Sequence, residues 1–239
     1  IDWKVHRTVG QGRDVQIMAE GKNTLETGIS IIPQDLELLE FAFGQKMTSG
    51  SATTYSLGSG KTWVYTGTAS GAIPSFTMET TFTPGQTSFP RQFVGMKDDK
   101  LTIGSEEEGE LKLDFDLKGA RPLIPSNASP TPKIYTNSPF LWHHGSMSMW
   151  GSTFGKVTKF ELTLTNSLKP KYYLASGSTS AKFPQDMIEG VRDYELITTV
   201  IGQDSTVWSR LTSANISGFT TTMRIADASH AVDIVCEYC

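Results

Sequence analysis

Cysteine is nearly absent: the 239 residues contain two, Cys236 and Cys239, both within the last four positions. That count excludes the disulfide framework that staples small extracellular domains. Long apolar runs are missing too. No stretch approaches the roughly 18 residues needed to span a bilayer, and no polybasic run suits a membrane surface, so no membrane partner is expected. There is no cationic excess either. The formal net charge is −4, whereas general affinity for nucleic acid is driven by Lys and Arg. Common catalytic motifs are also lacking: there is no Gly-x-Ser-x-Gly, no His-Glu-x-x-His and no phosphate-cradling glycine loop with Lys. No enzyme activity, cofactor or metal is expected. The chain opens at Ile1 instead of methionine, and processing or a missing N-terminal stretch is expected from that.

What the sequence does contain is alternation. In Gly109–Lys118, Leu111, Leu113, Phe115 and Leu117 fall on one side of an extended chain, because successive side chains point to opposite faces. Glu110, Lys112, Asp114, Asp116 and Lys118 fall on the other. One face demands a core and the other demands water, a partner subunit or a charged channel. The same grammar predicts strands at Leu25–Ile32, Lys61–Thr66, Ile73–Phe82, Gln92–Met96, Leu101–Ile103, Val157–Thr165, Val191–Ile201, Thr220–Ile225 and Val232–Tyr238.

Two short helices are predicted. The first opens near Pro33 or Asp35, takes its apolar side from Leu36, Leu38, Leu39, Phe41, Ala42 and Phe43, and stops at Gly44. The second spans Gln203–Leu211. Residues 45–60 are so rich in Gly, Ser and Thr that they read as a long loop, of the kind that is often functional. Residues 119–139 hold five prolines and read as a linker or crossover. The expected fold is mainly β, a sandwich or barrel-like domain with one or two short flanking helices. It covers residues 1–239 as a single unit, with two related lobes (about 1–120 and 140–239) as the variant reading.

The remaining motifs have ordinary readings. Cys236-x-x-Cys239 has redox or half-zinc spacing, but a structural zinc wants four ligands and no second pair exists. His143 and His144 adjoin Trp142, and neighbouring side chains in a strand diverge, so packing is expected over joint metal ligation. Glu106-Glu107-Glu108 lacks the spacing of a calcium loop and reads as a solvated acidic turn. Asn127-Ala128-Ser129 and Asn215-Ile216-Ser217 match glycosylation acceptors, a pattern common by chance.

In order, these elements resemble the tail tube proteins of tailed phages and related archaeal viruses. The segment Gln34–Gly44 (QDLELLEFAFG) is similar to that family's leucine-rich helix after a strand. Ile73–Glu79 resembles its Pro-Ser-Phe-Thr-like strand. Phe93–Lys97, Leu101–Ile103 and Glu108–Gly119 resemble its hairpin, and Val157–Asn166 followed by Ser167-Leu168 its later strand ending in Asn-x-Leu. The resemblance covers most of residues 20–235. It departs from the family at the start of the chain and at the terminal cysteine pair.

The resemblance implies a non-enzymatic structural protein of the virion, assembled in the host cytoplasm. Subunits of that family form rings, hexameric or, where the fold is doubled, trimeric. The rings stack into a tube whose inner strands make one continuous β-barrel. The implied partners are further copies of the chain and the tape-measure, tail-terminator and distal-tail proteins, with DNA passing through the lumen without specific binding. Glu110, Asp114 and Asp116 are the candidate lumen-facing carboxylates. Thr48, Ser49, Thr53, Thr54 and Tyr55 are the candidate inter-ring loop residues. An inner-tube protein of a contractile injection or secretion system would look similar. From other classes, a carbohydrate- or surface-binding sandwich would use Trp63, Trp142, Trp150 and Trp208, and a hydrolase would use carboxylates such as Asp114.

Overall fold

The expected alternation appears in β7 (Lys112–Gly119), where exposed and buried residues take turns along nearly the whole strand. In this computed structural model the described residues are 3–6, 17–34, 37–44, 63–66, 72–82, 89–123, 138–149, 152–154, 156–174, 182–201, 220–226 and 231–237. The central sheet places β7 between β6 (Phe89–Glu106) and β3 (Leu25–Ile31). On the far side of β6 follow β11 (Val157–Thr165) and then β14 (Asp193–Val200). All four pairings along this path are antiparallel.

Two further strands, β5 (Phe76–Phe82) and β8 (Arg121–Leu123), pair with the first half of β6 only. A second sheet runs in the order β10 (Ser152–Phe154), β9 (Gly145–Met149), β15 (Thr220–Ala226), β16 (Ala231–Glu237), β4 (Trp63–Thr66). Its β4–β16 pairing is parallel. Separate two-stranded pairs join β1 (Trp3–His6) to β2 (Ile17–Glu20) and β12 (Lys169–Lys171) to β13 (Asp186–Ile188). Among the described residues no sheet closes into a barrel.

One core unites these layers. Leu101, Ile103, Leu113, Leu162 and Leu164 from the central sheet are buried with Met147 and Met223 from the second sheet. Leu39, Ala42 and Phe43 add the helical contribution. The helix begins as a 3-10 turn at Glu37–Leu39 and continues as α1 (Glu40–Phe43). Gly44 ends it in the left-handed conformation, φ 74°, with its N–H donating to the Glu40 carbonyl. Leu38, expected on the apolar side, is instead exposed.

Three expectations need correction. Gln92–Met96 and Leu101–Ile103 are parts of one 18-residue strand, β6. The charged run Lys97–Lys100 does not interrupt it, because a bulge at Asp99 absorbs the extra residue. Gly95 (φ 70°) lets the chain turn from one set of partners to the other. Gly119 and residues 121–123 belong to strands and not to a linker, since Gly119 closes β7 and, after a bend at Ala120, β8 returns beside Gln92–Val94. Glu110 lies outside β7, in an isolated bridge with Leu141. The helix expected at Gln203–Leu211 lies outside the described residues, as do residues 45–60 and 124–137. Strands from both sides of the Pro-rich stretch share the central sheet.

Where β11 ends, one buried side chain joins four segments. Asn166, 1% exposed, donates from Nδ2 to the carbonyls of Ala42 and Asp98, both at 3.1 Å. Its Oδ1 accepts from Arg192 Nε at 2.8 Å, and Arg192 also donates to the Phe43 carbonyl at 3.3 Å. The Asn166 backbone donates to Asp99 and accepts from Gly190. The helix, the β6 bulge, the end of β11 and the approach to β14 therefore meet on one amide. Asn166→Ala would leave buried acceptors and a guanidinium N–H without their partner. A loss on the order of 3 kcal/mol is expected in urea unfolding, whereas a loss below about 0.5 kcal/mol would show that the junction holds without the amide.

Candidate functional site: the charged face of the central sheet

The core takes one face of the central sheet, and the alternation sends charge to the other. Four strands bring six carboxylates onto that face: Glu26, Asp114, Asp116, Glu161, Asp193 and Glu195. Lys100, Lys112, Lys118 and Lys159 share it. Cross-strand register decides which charges are compensated. Lys100 stands opposite Asp116, and Lys118 opposite Glu26. Lys159 lies 3.3 Å from Glu106 and 3.8 Å from Glu161. Asp114, by contrast, faces Ser30 on one side and Thr102 on the other, while Glu195 faces Thr163. The acidic excess therefore concentrates in that row.

The three sequence-selected carboxylates do not form one group. Glu110 and Asp114 line a concavity of about 670 Å³ around the 106–110 turn, with Glu106, Glu107, Glu108 and Lys159. Asp116 lines a different one, about 500 Å³, with Glu26, Asp99 and Lys118. Asp114 and Asp116 are both exposed, two apart on the same face of β7, and line two different concavities. Glu161, Asp193 and Glu195 were missed as site residues. The alternation of 157–165 signalled the first, but nothing in the sequence reveals that β14 lies next to β11. Thr48, Ser49, Thr53, Thr54 and Tyr55 lie outside the described residues.

Other candidates resolve as follows. His143 and His144 sit in a 3-10 turn, not a strand, and their rings meet edge-on at 4.2 Å instead of diverging. The His144 Nδ1 accepts from the Leu141 N–H at 3.2 Å. No group of three or more metal-binding side chains occurs among the described residues. Trp142 stacks on Phe160 with ring centres 5.9 Å apart, so one face of this ring is already covered. Cys236 lies in β16 opposite Thr221, while Cys239 is outside the described residues, as are Trp150 and Trp208.

One acid lies beneath the face. Asp98 is fully buried, and neither carboxyl oxygen has a hydrogen-bond partner among the described residues. Burial pushes its pKa up to about 8, and the nearby charges of Asp99 and Asp116 add to the effect. Its neighbour Asp99 is spent on structure: Oδ2 takes Lys118 at 2.8 Å and Oδ1 accepts the Leu168 N–H at 2.6 Å.

A family model described as phage tail tube protein matches residues 2–236. No curated protein matches the chain.

The raised Asp98 pKa makes stability depend on pH. The ordinary value is 3.8 and the folded value about 8, so between them the fold holds a proton that the unfolded chain releases. The penalty is absent below the lower value, grows by up to about 1.4 kcal/mol per pH unit, and is complete above the upper one. Asp98→Asn removes that titration. The variant is expected to gain stability over the native chain steadily as pH rises from 4 to 8 in urea titrations. An equal difference at both ends would refute the assignment.

Proposed function

The chain belongs to the phage tail tube protein family, and from that premise we propose that it assembles into rings that stack as a conduit for DNA. Membership of this family makes it a structural component of the virion and speaks for a structural role over a catalytic one. The observation that carries the finer reading is the central sheet. Its apolar face is covered, its charged face is not, and among the described residues both of its edges, β3 and β14, lack a partner strand. Open edges are templates for further pairing. Joining β3 of one copy to β14 of the next would extend the sheet around a lumen and satisfy both rows of backbone groups.

Strand parity adds a detail. The path β14–β11–β6–β7–β3 has five strands alternating in direction, so its two edge strands point the same way. Copies related by rotation would meet there as a parallel pair, with evenly spaced, slanted hydrogen bonds. Rings of six, or of three if the fold is doubled, remain the proposed sizes. Segment 45–60, with Thr48, Ser49, Thr53, Thr54 and Tyr55, remains the proposed inter-ring contact. Tape-measure, tail-terminator and distal-tail proteins are the proposed partners, with assembly in the host cytoplasm.

The charged face suits a lumen for a simple reason. Excess carboxylates repel phosphate, so DNA passes without adhering. Asp114 and Asp116, with Glu195 in the Asp114 row, are the proposed lumen carboxylates, and Glu110 sits at the lip beside the acidic turn.

Two outcomes test this reading. Ile197, 49% exposed on edge strand β14, has no core role, so Ile197→Lys should change stability by less than about 0.5 kcal/mol. The new charge on the edge should nevertheless prevent rings in negative-stain images, and native-like rings from a folded variant would remove β14 from the seam. Separately, Asp114→Lys with Asp116→Lys should make assembled tubes retain DNA at 50 mM salt and release it at 0.5 M. Tubes that ignore DNA at both concentrations would place these residues away from the lumen.

A further inference from the structure

The two ends of the central sheet differ in charge. At one end, β6 turns into β7 through Glu106-Glu107-Glu108-Gly109-Glu110. The turn is held rigidly: the Gly109 N–H donates to the Glu106 carbonyl at 2.9 Å, and the Glu107 N–H donates to Thr158 at 3.0 Å. Glu108 takes a left-handed backbone, φ 63°. Glu107 and Glu108 are exposed, and no described side chain forms an ion pair with either. Lys112 and Lys156 flank the turn, while Lys159 is already engaged by Glu106 and Glu161.

The opposite end lies about 20 Å away, six residues along β6 at about 3.4 Å each. There β11 leads through Asn166 into β12, on which Lys169 and Lys171 are exposed and, two apart, share a side. Neither forms an ion pair among the described residues, although Asp186 stands opposite Lys171 in the register. Lys22 lies close by, its ammonium 4.8 Å from the ring centre of Tyr172.

Each end also presents apolar surface beside its charge. Next to the acidic turn is a cleft of about 230 Å³ lined by Trp142, Met147, Val157, Phe160 and Met223. Next to the basic strand, Ile188 (opposite Lys169) and Val191 are exposed, the latter by 80%.

We propose that the acidic turn 106–110 of one copy docks on the Lys169–Lys171 strand of the next copy along the tube, with Ile188 and Val191 set against the Trp142–Val157 cleft. The surfaces sit at opposite ends of one rigid sheet, so they cannot meet within a single copy. Rotation about the tube axis leaves each end at its own height, so neighbours within a ring cannot bring them together either. Translation along that axis can. Such a contact is heterologous and repeats without closing, which is the symmetry of a filament. The charged groups are exposed, so the contact supplies polarity and salt sensitivity, with the apolar surface adding buried area. This rests on the tube-subunit reading.

Charge reversal tests it on the full chain. Glu107→Lys with Glu108→Lys, and separately Lys169→Glu with Lys171→Glu, should each leave rings intact. Tube length in electron micrographs at 0.1 M salt should fall at least tenfold in both. An equimolar mixture of rings of the two double variants should regain stacking in alternating order, since one variant has two basic ends and the other two acidic ends, and the quadruple variant should regain long tubes by itself. Native-length tubes from either double variant, or no recovery in the quadruple variant while its rings persist, would overturn the docking and leave the ring reading standing. A native chain that forms neither rings nor tubes would overturn both.

Discussion

A single buried amide holds the fold together where its parts would otherwise separate. A sheet gains stability from its ladders and its apolar face, but neither fixes how a short helix and two returning loops attach to its end. Asn166 does this with both of its amide donors and its carbonyl oxygen, binding the last turn of α1, the bulge of β6 and the guanidinium of Arg192 at once. Its burial is tolerable only because every polar atom is matched. The chain leaves β11 at this point, and Ser167 takes a left-handed backbone, φ 53°, to do so.

The bulge of β6 is the second half of the same construction. Four consecutive charges, Lys97 to Lys100, meet four different environments. Lys97 binds Glu189 at 3.0 Å, and the same carboxylate oxygen accepts the Ile73 N–H. Asp98 is buried without a partner, Asp99 ties Lys118 and Leu168 together, and Lys100 faces Asp116 across the sheet. The bulge makes this possible by inserting one residue and re-aiming those around it. The cost is the buried acid, which the fold accommodates by keeping it protonated across most of the physiological range.

Seen from the charged side, the sheet has the properties of a wall unit. Its apolar face packs into the core of one copy, with Tyr194 on the β14 edge left 42% exposed, so further burial would come through edges or ends. The edges carry strands of the same direction, and the ends carry opposite charge. The proposed assembly would use three distinct physical devices: backbone pairing around a ring, Coulomb attraction along an axis, and carboxylate repulsion inside a lumen. Membership of the tail tube family is the premise from which that assembly is proposed.

Much of the fold was legible in the sequence because alternation is a local signal. Leu111, Leu113, Phe115 and Leu117 announce a core face without reference to any neighbour, and Val157–Thr165 matches β11 residue for residue. The Gly44 stop was also readable, since only its own backbone conformation matters. β6 was misread as two strands because four charges in a row normally mark a turn, and their individual partners are remote in sequence. Glu110 was placed on β7 because the alternation continues through it, while a bridge to Leu141, thirty-one positions on, decides otherwise.

The sequence by itself determined that this is a β protein with one apolar and one charged face, and that it carries no recognisable catalytic motif. Only the tertiary structure decided which carboxylates share a surface. Asp114 and Asp116 look equivalent in the chain, yet cross-strand register sets Asp116 opposite Lys100 and Asp114 between Ser30 and Thr102. The reason is physical: side-chain direction follows from the two-residue period of an extended chain, whereas the charge opposite a residue depends on which distant strand arrives beside it, and in what register.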